Sequence, residues 1–218
     1  MSIDLFLQHL SNGISLGSLY ALIAIGYTMV YGILRLINFA HGDIFMMATY
    51  FAFFGIVTFQ IPWYITFPLV LVLTAALGMG VEAAAYRPLR EAPKISILIS
   101  AIGASFFLEN LTIVLFGGVP KPFPAPKLFT DVVQIGTVSI QKLTFYIPVV
   151  TLLSLLGLVY LINKTKVGMA MRAVSMDQEA ARVMGINIDH TIAFTFGLGS
   201  LLAAVGGIMW GMKFPQIQ

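Results

Sequence analysis

The sequence predicts an all-α fold, a polytopic bundle of about six transmembrane spans with one short cytoplasmic helix. Three observations carry that prediction. Of 218 residues, 59% are hydrophobic and only 10% charged, and the mean hydropathy is +0.94. Soluble chains carry about 25% charged residues, so this one cannot coat a water-facing surface. The apolar residues fall in continuous windows that do not alternate in the manner of barrel strands. The charges avoid those windows, which hold only Glu82 and Glu109.

A hydrocarbon core about 30 Å thick needs roughly 20 apolar residues in a helix. The windows that meet or approach this are Ile14–Leu34, Ile44–Ile61, Tyr64–Ala85, Ile95–Phe116, Phe145–Ile162 and Thr191–Met212. No Lys or Arg precedes the first window and no small-residue cleavage site follows it, so it reads as a span rather than a removable signal. Gly13, Gly17 and Ala21 have the small-xxx-small spacing that lets two helices approach closely. Gly197, Gly199, Gly206 and Gly207 suit the last span to the same use. The whole of 1–218 is expected to be one transmembrane domain, with 163–190 a cytoplasmic loop within it.

Orientation follows from the basic residues. The connections 35–43, 86–94 and 163–190 fall on one side and carry Arg35, Arg87, Arg90, Lys94, Lys164, Lys166, Arg172 and Arg182. Lys121, Lys127, Lys142 and Lys213 fall on the other. The positive-inside rule then places the first side in the cytoplasm and the N-terminus outside. In the connection 117–144, Pro120, Pro122, Pro124 and Pro126 alternate with other residues, which predicts an extended, polyproline-like stretch.

Within 163–190, Ser175 and Gln178 have the spacing of a capping box. Asp177 and Glu179 suit the first turn of a helix, Arg182 its end and Gly185 its stop. The reading is a surface helix over Met176–Met184. It is too short to be stable alone and therefore needs a surface or partner to pack on.

Two polar features interrupt the apolar pattern. Asn38, His41 and Asp43, with Gly42 between the last two, lie between the first two spans, where they can hydrogen-bond a zwitterionic solute if the segment is re-entrant. A solvated turn is the plainer reading. Glu109, beside Asn110, lies inside the fourth window and must face protein or water, or be protonated. An interhelical hydrogen bond is the expectation, and a proton relay the alternative. Glu82 is expected to pair or snorkel near Arg87 and Arg90.

Other chemistry is excluded by what the chain lacks. There is no cysteine and no G-x-x-x-x-G-K-[S/T] loop, so neither a thiol nucleophile nor a nucleotide cradle is available. His9, His41 and His190 are widely separated, which makes a metal site improbable. No cofactor and no nucleic acid is expected, and the chain does not read as an enzyme.

Glu179-Ala180-Ala181 followed by Gly185 resembles the EAA signature of bacterial ABC import permeases, although Thr195-Phe196-Gly197-Leu198 departs from the Ile-x-Leu-Pro element of that pattern. Asn12–Leu22, Gly26–Gly32 and Ile37–Asp43 resemble the high-affinity branched-chain amino acid permease family more closely. So do Ala85–Arg90, Ile99–Gly103 and Gly185–Asn187. The similarity covers most of residues 10–212. Members of that family continue for several further spans, so the chain resembles about two-thirds of such a permease.

The resemblance implies a permease subunit of an ABC importer in the bacterial inner membrane, moving branched-chain or similar amino acids. Asp177, Glu179, Ala180, Ala181, Arg182 and Gly185 would then couple to a separate ATPase subunit that uses the ATP. A second permease subunit, forming a heterodimer, and an extracytoplasmic binding protein would complete the assembly. The alternatives are a urea or short-chain amide permease, an ion-coupled secondary transporter, or a non-transporting fragment.

Overall fold

The computed structural model describes residues 3–135 and 138–217. Among them, six helices are long and apolar enough to cross a membrane. The first is α1 (Ile3–Leu34), followed by α2 (His41–Phe53), which runs on through a π-turn at Phe54–Thr58. Then come α3 (Trp63–Val81), extended by a π-turn at Glu82–Tyr86 and a 3₁₀ turn at Arg87–Leu89, and α4 (Lys94–Phe116). The next connection holds β1 (Lys121–Pro122), α5 (Lys127–Thr130), β2 (Val132–Ile135) and β3 (Val138–Gln141). The chain finishes with α6 (Leu143–Lys164), α7 (Lys166–Met176), α8 (Gln178–Val183), α9 (Ile188–Lys213) and β4 (Gln216–Ile217).

Helix starts follow local chemistry. Pro62 and Pro93 are extended, with ψ of 139° and 141°, and stand immediately before α3 and α4. Proline fixes its own φ and has no N–H to leave unpaired, so each helix begins sharply after it. With 32 residues, α1 is about 48 Å long at 1.5 Å per residue, more than a bilayer core requires. The sequence window begins at Ile14, but nothing in Ile3–Asn12 breaks a helix, and β3 packs alongside α1.

The hub of the bundle is α9, which is buried along most of its length and packs on α1, α2 and α3. In lipid no hydrophobic force drives helix to helix, so association depends on close fit. Gly26 and Gly199 provide it: a Cβ on Gly26 would come 2.9 Å from the Gly199 carbonyl oxygen, and one on Gly199 would come 3.0 Å from that of Gly26. Gly13, Gly17 and Ala21 do not form such a contact within the chain. They lie on the exposed side of α1, and nothing stands within 4 Å of a Cβ at either glycine.

The connections alternate between the two ends as six spans require. At one end, an Arg35 Nη donates to the Ser175 carbonyl at 3.5 Å and Arg87 meets Asp189 at 2.6 Å. This basic end therefore gathers the three Lys/Arg-rich connections. At the opposite end, Lys213 reaches Asn12 and Thr144.

The proline-rich connection is not a free polyproline stretch. Its Lys121–Pro122 segment pairs antiparallel with Gln216–Ile217, and β2 forms a hairpin with β3. Phe123 is buried against α9, where a Cβ on Gly211 would come within 2.6 Å of its ring. An aromatic side chain with an apolar slot beneath it outweighs the local preference of alternating prolines.

Candidate functional site

The polar segment between α1 and α2 does not form one cluster. Asn38 is buried, and its Oδ1 accepts a hydrogen bond of 3.0 Å from the Tyr86 hydroxyl. Tyr86 is aimed inward by the π-turn and packs on Phe196 of α9, with ring centroids 4.9 Å apart. His41 opens α2 and is also buried, its ring edge-on to Tyr27 at 5.8 Å and close to Gly26. Neither of its ring nitrogens has a hydrogen-bond partner among the described residues.

Gly42 is exposed, with open space where a side chain would be. Half-buried Asp43 accepts from the Ser105 hydroxyl of α4 at 2.5 Å. Positions 41 and 43 lie about 200° apart around a helix turning 3.6 residues per turn, so their side chains diverge. Asn38 thus points to the end of α3, His41 to α1 and α9, and Asp43 to α4. What these residues share is a seam between four helices.

Glu109 lies one turn beyond Ser105, which puts both on one face of α4. Glu109 is exposed and makes no hydrogen bond or ion pair with another described residue, so the expected interhelical bond is not formed within the chain. Asn110 is satisfied on its own helix, its amide donating to the Phe106 carbonyl at 2.7 Å.

At the basic end, ion pairs fasten α3 to α9. Glu82 is only 1% exposed and pairs with Arg90 at 2.5 Å. Arg90 also binds Asp189 in the first turn of α9, and Asp189 binds Arg87. A carboxylate this deep in a membrane protein requires a close cation, and the fold supplies one by turning the chain back at Pro88. The pairing expected for Glu82 is therefore formed, and with a second carboxylate attached.

The connection 163–190 holds two helices, where the sequence reading gave one. Thr165 caps α7 by accepting from the Gly168 amide at 3.0 Å, and Gly168, Met171 and Val174 bury one face of it. The start of α8 is corrected. Its N-cap is Asp177, whose carboxylate accepts from the amides of Glu179 and Ala180 at 2.8 and 3.0 Å. Ser175 instead lies in the last turn of α7 and donates to the Arg172 carbonyl.

The stop signal behaves as read. Gly185 adopts φ +81° and donates to the Arg182 carbonyl, while Ile186 donates to that of Ala181. This is the paired closure of a Schellman motif, which needs a left-handed residue at that position. Ala181 is the buried anchor of α8, while Glu179, Ala180 and Arg182 are exposed. Met176, Val183 and Met184 are more than 80% exposed around it. Beside α8 a polar cleft of about 520 Å³ opens among Arg87, Glu91, Gln178, Glu179, Arg182 and Asp189.

Sequence reasoning missed the roles of Tyr86, Ser105 and Asp189. Asp189 had a signal, since an acidic residue in the first turn of a span faces the basic Arg87–Arg90 turn at the same end. The α7 helix had one too: Thr165 followed by apolar residues at helical spacing. Tyr86 and Ser105 had none, because their partners lie 48 and 62 positions away.

The chain is 39% identical over 224 residues to the high-affinity branched-chain amino acid transport system permease protein BraD of Pseudomonas aeruginosa, covering 97% of this chain and 73% of the relative. It is 40% identical over 225 residues to LivH of Escherichia coli, a permease protein of the same description, covering 97% and 72%. A probable branched-chain amino acid transport permease protein LivH of Methanocaldococcus jannaschii is 27% identical over 207 residues, covering 91% and 64%. No solved structure matches. Residues 9–218 match the family described as branched-chain amino acid transport system / permease component, and the chain belongs to that family.

Proposed function

We propose that this chain is a translocation subunit of an ATP-driven importer for branched-chain amino acids in a bacterial inner membrane. The basic end faces the cytoplasm and the N-terminus lies outside, as the distribution of Lys and Arg favours. The observation that carries the reading is α8: a short capped helix, held by one buried alanine and ringed by exposed Met176, Val183 and Met184. So much apolar surface beside a charged cleft suits a protein partner rather than water.

That partner is a separate ATPase subunit, which binds and hydrolyses the ATP. Its closure pushes α8, and the push passes through Ala181 and the Arg87–Asp189–Arg90–Glu82 chain into α9 and α3. The seam of Asn38, His41 and Asp43 lies where α1, α3, α4 and α9 would shift against one another. A second permease subunit and an extracytoplasmic substrate-binding protein complete the machine, and the surrounding membrane lipid supports it. The permease chain itself performs no catalysis and holds no cofactor.

The test is leucine uptake into proteoliposomes containing this chain, its companion permease, the ATPase and the binding protein. Uptake that requires ATP inside the assay compartment and stops when the ATPase is omitted is the expected result. Uptake driven by a proton gradient without ATP would overturn it.

A further inference from the structure

The end opposite α8 contains a cleft that the coupling mechanism does not use. It encloses about 570 Å³ between α1, the β2–β3 hairpin, α6 and the end of α9, within the size range of small-molecule sites. Lys213 stands at its edge, partly buried, and its ammonium donates to Asn12 Oδ1 at 3.4 Å and to Thr144 Oγ1 at 3.2 Å. Both partners are neutral, and Lys213 forms no ion pair with a described residue. The other cation of this region with a hydrogen-bonded acid, Lys142, pairs with Asp131 at 2.9 Å.

An ammonium with three donors held by two neutral oxygens keeps capacity for an anion. The rest of the lining is divided by chemistry. Gln8 and Gln141 supply amide groups, and Leu16, Ile140 and Phe214 an apolar wall. One cation, amide carbonyls and an aliphatic surface are the three features that a carboxylate, an ammonium and a branched side chain require.

We infer that this cleft receives the amino-acid cargo on the outer side of the membrane, with Lys213 binding its carboxylate. The inference rests on the proposed transport function and orientation. Lys213 is a binding residue here. The part of its charge that interacts with the C-terminal end of the α9 dipole remains in any cationic replacement.

The test separates binding from transport. Radiolabelled leucine is bound at equilibrium to the detergent-solubilised complex without the binding protein, for the wild type, Lys213→Gln and Lys213→Arg. Competition by leucinamide, which lacks the carboxylate, is measured in parallel. Losing a charge-assisted hydrogen bond predicts leucine binding weakened at least about tenfold in Lys213→Gln. Lys213→Arg should stay within about threefold of wild type, and leucinamide should bind both variants and wild type alike. Recovery of each complex as a single species by gel filtration confirms assembly. If wild type transports leucine but Lys213→Gln binds it as tightly, or if the transporting wild type binds none, the site is wrong and the transport reading stands. If the wild-type complex does not transport leucine at all, the transport reading fails and the inference falls with it.

Discussion

The hydroxyl of Tyr86 donates to the side-chain oxygen of Asn38 across 3.0 Å of buried space, joining the end of α3 to the link between α1 and α2. The bond spans 48 positions and fixes a segment that otherwise has little regular structure. Replacing Tyr86 with Phe keeps the ring against Phe196 but leaves the Asn38 oxygen unsatisfied, at a cost of about 1–3 kcal/mol. Thermal unfolding in detergent should show the loss. An unchanged midpoint would mean that water replaces the hydroxyl without cost.

Removing one member of the charged network should be worse than removing two. Arg90→Met leaves Glu82 buried without its cation, and breaking a buried pair costs about 3–5 kcal/mol. Adding Glu82→Gln to that variant removes the stranded charge and should recover much of the stability. A double variant no more stable than Arg90→Met would show that Glu82 is not the source of the penalty.

The two kinds of glycine in α1 should respond differently to alanine. At Gly26 the new methyl group meets the backbone oxygen of Gly199, and overpacking of this kind costs about 1–3 kcal/mol. At Gly13 it meets open space, and the better helix propensity of alanine should leave stability equal or slightly higher. Equal losses at both positions would remove the close-contact explanation.

Coupling should be separable from folding. Glu179 is exposed and makes no contact that α8 needs, apart from the amide it offers to Asp177. Glu179→Lys should therefore reduce copurification of the ATPase while leaving the thermal midpoint of the permease unchanged. Normal recovery of the ATPase would count against docking at this helix.

Asp43 tests the seam between helices. Asp43→Ala removes the acceptor of the Ser105 hydroxyl, and the loss of one charge-assisted bond predicts uptake slowed by about tenfold or more. Complex yield on gel filtration should be unaffected. Wild-type uptake by this variant would place Asp43 outside the path.

The spans were legible because continuous apolarity is a local property, and so was the stop at Gly185. The start of α8 was not, since Ser175 and Asp177 are both good caps two positions apart. The choice fell to Asp177 because α7 extends to Met176 and absorbs Ser175. The divergence of Asn38, His41 and Asp43 was hidden for a different reason. Adjacency in sequence says nothing of direction once a helix begins between them. The binding role proposed for Lys213 was also invisible, because its cleft is built from residues spread between Gln8 and Phe214.

The pairing of Lys121–Pro122 with Gln216–Ile217 has a consequence for how the molecule is made. Nearly a hundred residues separate the two strands. At about 5–20 residues per second, a ribosome needs on the order of 5–20 s to deliver the second after the first. Throughout that interval α4 is in place while Phe123 has no α9 to pack on and Lys121–Pro122 has no partner strand. The sixth span thus acts as the clasp: its arrival buries Phe123, closes the ribbon and gathers α1, α2 and α3 around it in one late step.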